Sequence, residues 1–250
     1  MMFWFKKKKI VVDCFTPFQS VYDLYKIDRA ISFFPEEVKK LPNFYSVEDQ
    51  NTKISYDSAT IRKCIGLQEL YKTGFILPMW TDFICDPQGA INNKTAVGLM
   101  SQPFYYNVHD KKQWNGFFDN YIHVKMASPW KIVEKTGVKF SWNAASWNLH
   151  KHMKNFIVVP GTVTYDYQSD TNVNIFVDMT APKFIIESGT PLVHITALSD
   201  SDVVIKNHLV SPEEHAKIGI PSEFSMIRPE RYLRWKKENE HAKCPFGFGK

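Results

Sequence analysis

The sequence predicts a mainly β protein with peripheral helices, in which an antiparallel β-sandwich or β-clip-like core lies between helical N-terminal and C-terminal segments. One observation is that Phe, Tyr and Trp make up 15% of the chain, because aromatic side chains favour strands and bury large areas. A second is a series of short apolar runs at near-regular spacing over residues 156–210, with turn residues between them. Such a series is typical of a sandwich or a barrel.

The predicted β core covers residues 75–210. Its first segment, 75–85, contains Pro78, which cannot donate a ladder hydrogen bond, so this strand lies at an edge or contains a break. Turn residues at 134–137 predict a hairpin between the strands on either side. We expect these strands to pair in antiparallel fashion, and the further predicted strands are 96–100, 121–126, 131–133, 138–140, 156–159, 162–167, 173–177, 184–187, 191–197 and 203–210.

Helices are predicted on both sides of this core. The N-terminal part, 1–74, combines a strand at 10–15 with helices at 21–31, 35–41 and 59–72. Asp57 or Ser58 can cap the last helix, and Gly74 stands where a C-terminal glycine belongs.

The C-terminal part, 211–250, is predicted to be a helical basic tail. Ser211, Pro212 and Glu214 supply a capping residue, a first-turn proline and an acidic third position, which indicates a helix start. A second helix is predicted at 229–240. Because the chain shows no repeat and no low-complexity linker, we expect a single composite domain over 1–250.

Composition narrows the class of protein. The hydrophobic fraction of 44% and the charged fraction of 23% are those of an ordinary globular protein. No apolar run approaches the length of a membrane helix, and the lysines at 6–9 follow an apolar start, which reverses the order of a secretory signal. Four scattered cysteines without a Cys-x-x-Cys pair indicate a reducing compartment. We therefore expect an intracellular protein that does not contact a membrane.

The net charge of +5 is concentrated at the two ends. Basic clusters at 6–9 and 228–250 could meet nucleic acid or an acidic partner surface, or they could be solvated ends, which is the favoured interpretation. In the tail, aromatic and basic side chains could stack on and neutralise a single strand. Tyr232 and Trp235 would also share a helix face that docks onto the β core. The candidate nucleic-acid residues are Arg231, Arg234, Trp235, Lys236 and Lys237.

One histidine pair raises the question of a metal. A strand would place His150 and His152 on one face, and His194 with Asp178 could complete a cupin-like iron site that leaves open positions for oxygen chemistry. The alternative is a pair of surface histidines in a polar loop. We expect no cofactor, with iron as the alternative.

Tryptophans with neighbouring polar groups suggest a ligand pocket. Aromatic rings beside amides can line a site for a flat or sugar-like ligand, and His109 and Gln113 lie close to Trp114. The alternative is that the tryptophans pack the core and hydrogen-bond locally. The candidate ligand-binding residues are Trp80, His109, Gln113, Trp130, Trp142 and Trp147.

The segment 161–167, followed by 186–195, resembles the later strands of dUTPases and dCTP deaminases, whose fold is a compact β-clip. In those strands a glycine-led strand ending in Asp-Tyr precedes a glycine turn and an apolar strand. The water-activating Asp of that family would fall at Thr164, which has no carboxylate to act as a base. The resemblance therefore implies a fold topology, or a nucleotide-binding relative, without the hydrolytic residues.

A wider resemblance is to an uncharacterised family of tailed phages, especially T4-like phages of marine cyanobacteria. It is carried by 10–16, 70–82, 128–130, 160–161 and 187–195. It implies a phage protein located in the host cytoplasm or the virion. We expect a non-catalytic binding or assembly role with a protein partner or self-association, and leave open a cupin-like oxygenase, a dUTPase-related nucleotide-binding protein and a nucleic-acid-binding protein.

Overall fold

A computed structural model describes residues 9–93, 96–115, 117–166 and 168–219, and it confirms a mainly β protein with few helices. The helices are α1 (Gln19–Leu24), α2 (Glu36–Lys40), α3 (Ile65–Lys72), α4 (Pro87–Asn93) and α5 (Pro212–Lys217). Short 3₁₀ turns occupy Ala30–Phe33, Ile61–Lys63, Lys111–Gln113 and His150–His152.

The strands of the first half are β1 (Lys9–Thr16), β2 (Asp28–Arg29), β3 (Phe44–Glu48), β4 (Ser55–Ala59), β5 (Phe75–Pro78), β6 (Phe83–Cys85), β7 (Gly98–Met100), β8 (Tyr106–Val108) and β9 (Tyr121–Met126). Those of the second half are β10 (Lys131–Val133), β11 (Lys139–Ala144), β12 (Phe156–Val158), β13 (Gly161–Thr164), β14 (Val173–Asp178), β15 (Phe184–Ile186), β16 (Pro191–Ala197) and β17 (Asp202–Leu209).

These strands form five sheets in the described residues. The largest has the order β13-β11-β16-β5-β2, and a four-stranded sheet has the order β12-β14-β9-β8. Two three-stranded sheets, β10-β1-β17 and β15-β6-β7, and the hairpin β3-β4 complete the set. The order shows that strands far apart in sequence become neighbours in space.

One apolar core joins four of the sheets. Its buried side chains come from the three-, four- and five-stranded sheets together, and they include the fully buried rings of Trp80, Trp130 and Phe140. A smaller cluster around Tyr71 and Leu67 packs α3 beneath Ala30 and Val38. Only the hairpin β3-β4 contributes no residue to either cluster among those described.

Several predicted elements are confirmed. The strands β9, β10 and β16 have the predicted bounds. At the start of α5, Ser211 accepts a hydrogen bond from the Glu214 backbone and the Glu214 carboxylate accepts one from the Ser211 backbone. Local sequence is sufficient for such a capping box, because all its partners lie within one turn.

The predicted helices of the N-terminal part need correction. The helix expected at 59–72 begins only at Ile65, because 55–59 pairs with β3 as a strand and a 3₁₀ turn follows. The helix expected at 21–31 ends at Leu24, because Ile27 is drawn into the core and 28–29 pairs with β5. The N-terminal part therefore holds more strand than predicted.

Two predictions about strand pairing are wrong. No hairpin joins β10 and β11, since β10 pairs with β1 while β11 lies between β13 and β16. The turn between them is organised instead by the buried carboxylate of Glu134, which accepts hydrogen bonds from the backbone of Thr136 and Val138. The second error is β17, which pairs in parallel with β1 over its whole length, whereas the other described pairs are antiparallel.

Two further expectations can be placed against the described residues. No helix in the described ranges is long and apolar enough to cross a membrane. The helix predicted at 229–240 lies outside the described residues, so it stays a prediction.

Candidate functional site

A cluster of aromatic side chains covers the outer side of the four-stranded sheet. Because side chains alternate along a strand, Tyr121 and His123 of β9 lie on the same side as Phe176 of β14, the Cα partner of His123. The segment after β8 adds Trp114 and Phe118. These five residues, Trp114, Phe118, Tyr121, His123 and Phe176, are called the aromatic face below.

Phe176 is the centre of the aromatic face. Its ring stacks on Phe118 with centroids 4.6 Å apart and 24° between the planes. It meets Trp114 edge-on at 5.4 Å and Tyr121 at 6.2 Å. Stacked and edge-to-face pairs at such distances stabilise beyond simple burial, so the rings hold one another in place.

His123 lies at the base of the aromatic face. Its Nε2–H donates to Asn174 Oδ1 at 3.0 Å, and its ring meets His109 at 4.4 Å and Trp114 at 4.5 Å, both edge-on. Burial is the main cause that lowers the pKa of His123, and electrostatic repulsion from His109 lowers it further. Its buried Nδ1 has no hydrogen-bond partner among the described residues. The arrangement therefore suits a neutral imidazole.

The loop that carries Phe118 is conformationally strained. Phe118 has a φ of +58°, a region in which a bulky L residue is a genuine outlier that costs free energy. Phe118 nevertheless remains 52% exposed, and Phe117 is 72% exposed. A strained backbone that presents apolar rings to solvent points to a functional role for those rings.

An open pocket of about 300 Å³ adjoins the aromatic face. It is lined by Tyr121 of the aromatic face together with Met153, Lys154, Phe156, Ile157 and Asp178. Met153 and Ile157 are both substantially exposed, and Ile157 is the Cα partner of Phe176. The apolar surface is thus continuous across three strands.

Charged side chains surround this surface. Lys125 follows His123 on the same side of β9, and Lys154 lines the pocket. Two aspartates are held by their own chain, since Asp110 accepts from the Lys112 backbone and Asp178 from the backbone and hydroxyl of Thr180. Further charges come from Lys111, Lys112 and Asp119.

A second exposed feature is the hairpin formed by β3, β4 and their connecting loop, residues 44–59, called the hairpin arm below. Asp49 organises its loop by accepting hydrogen bonds from the backbone of Asn51 and Thr52. The exposed fractions are 54% for Phe44, 51% for Tyr45, 53% for Tyr56 and 64% for Ile54. These large apolar groups face solvent in the described structure.

The predicted tryptophan residues do not form one pocket. Trp80 and Trp130 are fully buried in the core, and their Nε1 atoms lack a hydrogen-bond partner among the described residues. Trp142 is buried and its Nε1–H donates to the Tyr165 hydroxyl at 2.7 Å. Trp147 is 40% exposed elsewhere on the chain. Trp80, Trp130 and Trp142 therefore pack in the core, as the alternative interpretation expects.

His109 and Gln113, in contrast, do belong together. His109 Nδ1 and Gln113 Oε1 are 2.9 Å apart, and His109 contacts the aromatic face through His123. The predicted candidates do not include Phe118, Tyr121, His123 or Phe176 of the aromatic face. Side chains alternate along 121–126, so the sequence places His123 on the side opposite Ile122 and Val124. Its pairing with Phe176 of β14 depends on residues far away in the chain.

The predicted iron ligands are not brought together. His150 and His152 lie on a 3₁₀ turn instead of a strand, so the expected common face does not form. His194 is buried beside Tyr71, with Nε2–H donating to the Thr73 carbonyl at 2.9 Å. Asp178 is engaged with Thr180. Among the described residues no group of three His, Cys, Asp or Glu side chains is arranged to hold a metal.

A cavity of about 770 Å³ lies between the starts of β1 and β17 and the end of β16. Its charged lining consists of Lys9, Arg29, Lys72, Asp200 and Asp202. Of the predicted basic cluster at 6–9, the structure describes Lys9, whose Cα partner is Asp202. Cationic and anionic groups therefore face one another here. The other predicted nucleic-acid residues, Arg231 to Lys237, lie outside the described residues.

Thr164 ends β13 and is partly buried, with Lys139 as its Cα partner. This pairing places Thr164, the position compared with the dUTPase family in the sequence analysis, in a regular strand ladder. No protein-family model matches the chain, and no curated protein matches it either.

Proposed function

We propose that this chain is a non-catalytic binding or assembly protein whose aromatic face docks a partner protein. The observation that carries the proposal is Phe118, which is held at a φ of +58° with a half-exposed ring stacked on Phe176. A glycine or asparagine would occupy this backbone conformation at lower cost. A phenylalanine there is accounted for if its ring contacts a partner.

The composition of the surface favours a protein over a small ligand. Aromatic and Met side chains are enriched in the cores of protein interfaces, and here Phe117, Phe118, Met153 and Ile157 are all exposed. The adjoining pocket of about 300 Å³ is open. It has the size to take one anchoring side chain of a partner, as at interface hot spots.

The lysines indicate the kind of partner. Lys125 and Lys154 lie beside the apolar surface, and complementary charge speeds and orients protein association. The partner expected from this chemistry presents apolar anchors with carboxylates beside them.

The proposal also includes the type of fold and the biological origin of the protein. An antiparallel β-sandwich or β-clip-like core is supported by the larger apolar cluster, to which four of the sheets contribute. The phage origin rests on the resemblance described above. Mass spectrometry of intact virions tests whether the protein is a structural part of a phage particle. An assembly component is expected there at high copy number, and its absence from virions would contradict that role.

Site-specific photo-cross-linking tests the docking surface. A benzophenone side chain is placed at Phe117 or, as a control, at Ile65, which is 73% exposed on α3. In cells that make the protein, we expect a discrete cross-linked product from position 117. When the cross-linking is repeated in cell extract, this product should be weaker at high salt. The same pattern of products from both positions would contradict the proposal.

A further inference from the structure

The cavity of about 770 Å³ beside β1, β16 and β17 has the size of a small-ligand site. Three of its lining residues, Lys9, Arg29 and Lys72, are cationic and come from three different elements, β1, β2 and α3. Asp200 and Asp202 line it where the chain turns from β16 into β17. The cavity shares no residue with the aromatic face, so a ligand bound here would be separate from the docked partner.

Hydrogen bonds of the backbone fix the wall that carries Arg29. Strand β2 pairs with β5, and the next residue, Ala30, donates its N–H to the Gly74 carbonyl at 3.2 Å. Behind the turn that follows α3, the buried His194 donates from Nε2 to the Thr73 carbonyl at 2.9 Å. Both Thr73 and Gly74 line the cavity. The fold therefore sets this wall before a ligand binds, which lowers the entropic cost of binding.

Two of the three cations have no partner in the part of the chain that the structure describes. Lys72 forms an ion pair with Glu69 at 2.6 Å. The Lys9 ammonium and the Arg29 guanidinium form neither an ion pair nor a hydrogen bond with any described residue. Lys9 and Asp202 are Cα partners on adjacent strands, but they do not form an ion pair either. Two positive charges are therefore available to an anion.

These two charges match a phosphate monoester. Such a group carries between about 1.5 and 2 negative charges at neutral pH, whereas a carboxylate carries only one. The guanidinium of Arg29 presents parallel N–H donors whose spacing fits two oxygens of one phosphate. Lys72 adds positive charge to the same cavity.

The rest of the lining indicates what carries the phosphate. No aromatic side chain of the described ranges lines the cavity, so it offers no ring on which a nucleobase would stack. Asp200 and Asp202 accept hydrogen bonds, and the Thr196 and Ser201 hydroxyls both donate and accept. The hydroxyls of a sugar or polyol match this mixture, whereas an amine would use the acceptors only. The two carboxylates also disfavour a second anionic group, such as a further phosphate.

We propose that this cavity binds a small phosphorylated sugar or polyol. Lys9 and Arg29 hold the phosphate, and Asp200 and Asp202 accept hydrogen bonds from the hydroxyls of the ligand. This inference goes beyond the docking role, because it assigns a small-molecule site to a different surface of the protein.

Isothermal titration calorimetry of the purified full chain at low salt provides the test. The probes are glycerol 3-phosphate, ribose 5-phosphate and glucose 6-phosphate, and the controls are inorganic phosphate and glucose, which each carry one half of the proposed chemistry. We expect one-to-one binding of at least one of the three esters. It should bind about tenfold more tightly than inorganic phosphate, because hydrogen bonds to the hydroxyls are added. Glucose should not bind.

Variants of the lining locate the binding. Lys9→Gln and Arg29→Gln should each weaken binding of the ester about tenfold, because a charged hydrogen bond to the phosphate is lost. Asp200→Ala with Asp202→Ala should weaken the ester but not inorganic phosphate. Lys53→Gln in the hairpin arm is the matched control, because Lys53 is also exposed, forms no ion pair with a described residue and does not line the cavity. Thermal melting without ligand checks that each variant is folded.

Each result decides the inference. If none of the three esters binds, the inference is overturned. Binding that Lys9→Gln and Arg29→Gln leave unchanged also overturns it, because the site then lies elsewhere. Inorganic phosphate bound as tightly as the esters overturns the assignment of a sugar or polyol. In each of these cases the proposal for the aromatic face is unaffected, since cross-linking from position 117 tests a different surface.

Discussion

Phe118 and Phe176 form a stacked pair, with ring centroids 4.6 Å apart, in which one ring is buried and the other half exposed. The two rings therefore have different roles. Phe176 holds the aromatic face to the sheet, while Phe118 presents it to solvent. This division makes the effects of truncating the two side chains predictable.

Truncation of Phe176 is expected to destabilise the protein much more than truncation of Phe118. Phe176→Ala should lower the free energy of unfolding by about 3 kcal/mol, because a buried ring is lost and a cavity is left. Phe118→Ala should cost less than about 1 kcal/mol at its half-exposed site. Urea denaturation of both variants measures the difference, and equal losses would contradict the assigned roles.

The buried imidazole of His123 should make stability depend on pH. Burial lowers its pKa below the usual 6.5, so near and below pH 6.5 the unfolded chain binds a proton that the folded protein resists. Stability is then lost as the pH falls from 6.5 towards the folded pKa and is fully present above 6.5. The pKa values of His152, His194 and His215 are lowered in the same way, each mainly by burial.

A variant isolates the contribution of His123. His123→Gln retains a donor for Asn174 but does not titrate, so it should lose less stability than the wild type between pH 7.5 and pH 5.5. Denaturant unfolding at both pH values gives the comparison. If the variant loses as much stability as the wild type between these two pH values, folding does not lower the pKa of His123.

The hydrogen bond between Trp142 and Tyr165 should be costly to break. Both side chains are buried, and the indole N–H donates to the hydroxyl at 2.7 Å. Tyr165→Phe leaves a buried donor without an acceptor and should lower the free energy of unfolding by about 1–3 kcal/mol. The double variant with Trp142→Phe should cost less than the sum of the single variants, whereas strict additivity would indicate that the bond contributes nothing.

Gly74 should tolerate no side chain. It has a φ of +73°, and an added Cβ would lie 2.3 Å from the Ile195 carbonyl oxygen. Gly74→Ala is therefore expected to destabilise by more than about 1 kcal/mol. Gly161 is the matched control, because nothing lies within 4 Å of its added Cβ. Similar unfolding midpoints for the two variants would contradict this account of the turn after α3.

How much of the fold could be predicted depended on whether its causes were local. Strand β9 and the start of α5 could be predicted because alternation and a capping box are properties of neighbouring residues. The parallel pairing of β17 with β1 could not, since the partners Ile10 and Val203 are far apart in sequence. Strand β4 could not be predicted either. Its residues Asp57 and Ser58 are typical helix caps, and only the hydrogen bonds to β3 make them part of a strand.

The candidate site shows the same limit. His109 and Gln113 were predicted because they are near neighbours of Trp114 in the chain. The aromatic face also needs Phe176, which sheet pairing brings beside His123. The tryptophan pattern left two interpretations open, because large rings suit a ligand pocket and a core equally, and burial of Trp80 and Trp130 is decided by the whole fold.

The most direct test of the docking surface is to measure stability and cross-linking together in Phe118→Gly. Glycine relieves the strain at a φ of +58° while removing a half-exposed ring, so the free energy of unfolding should stay within about 1 kcal/mol of the wild type. The cross-link from position 117 should nevertheless disappear, while Ile65→Ser leaves it intact. A stable Phe118→Gly variant that still cross-links as the wild type does would contradict the proposal that the aromatic face binds a partner.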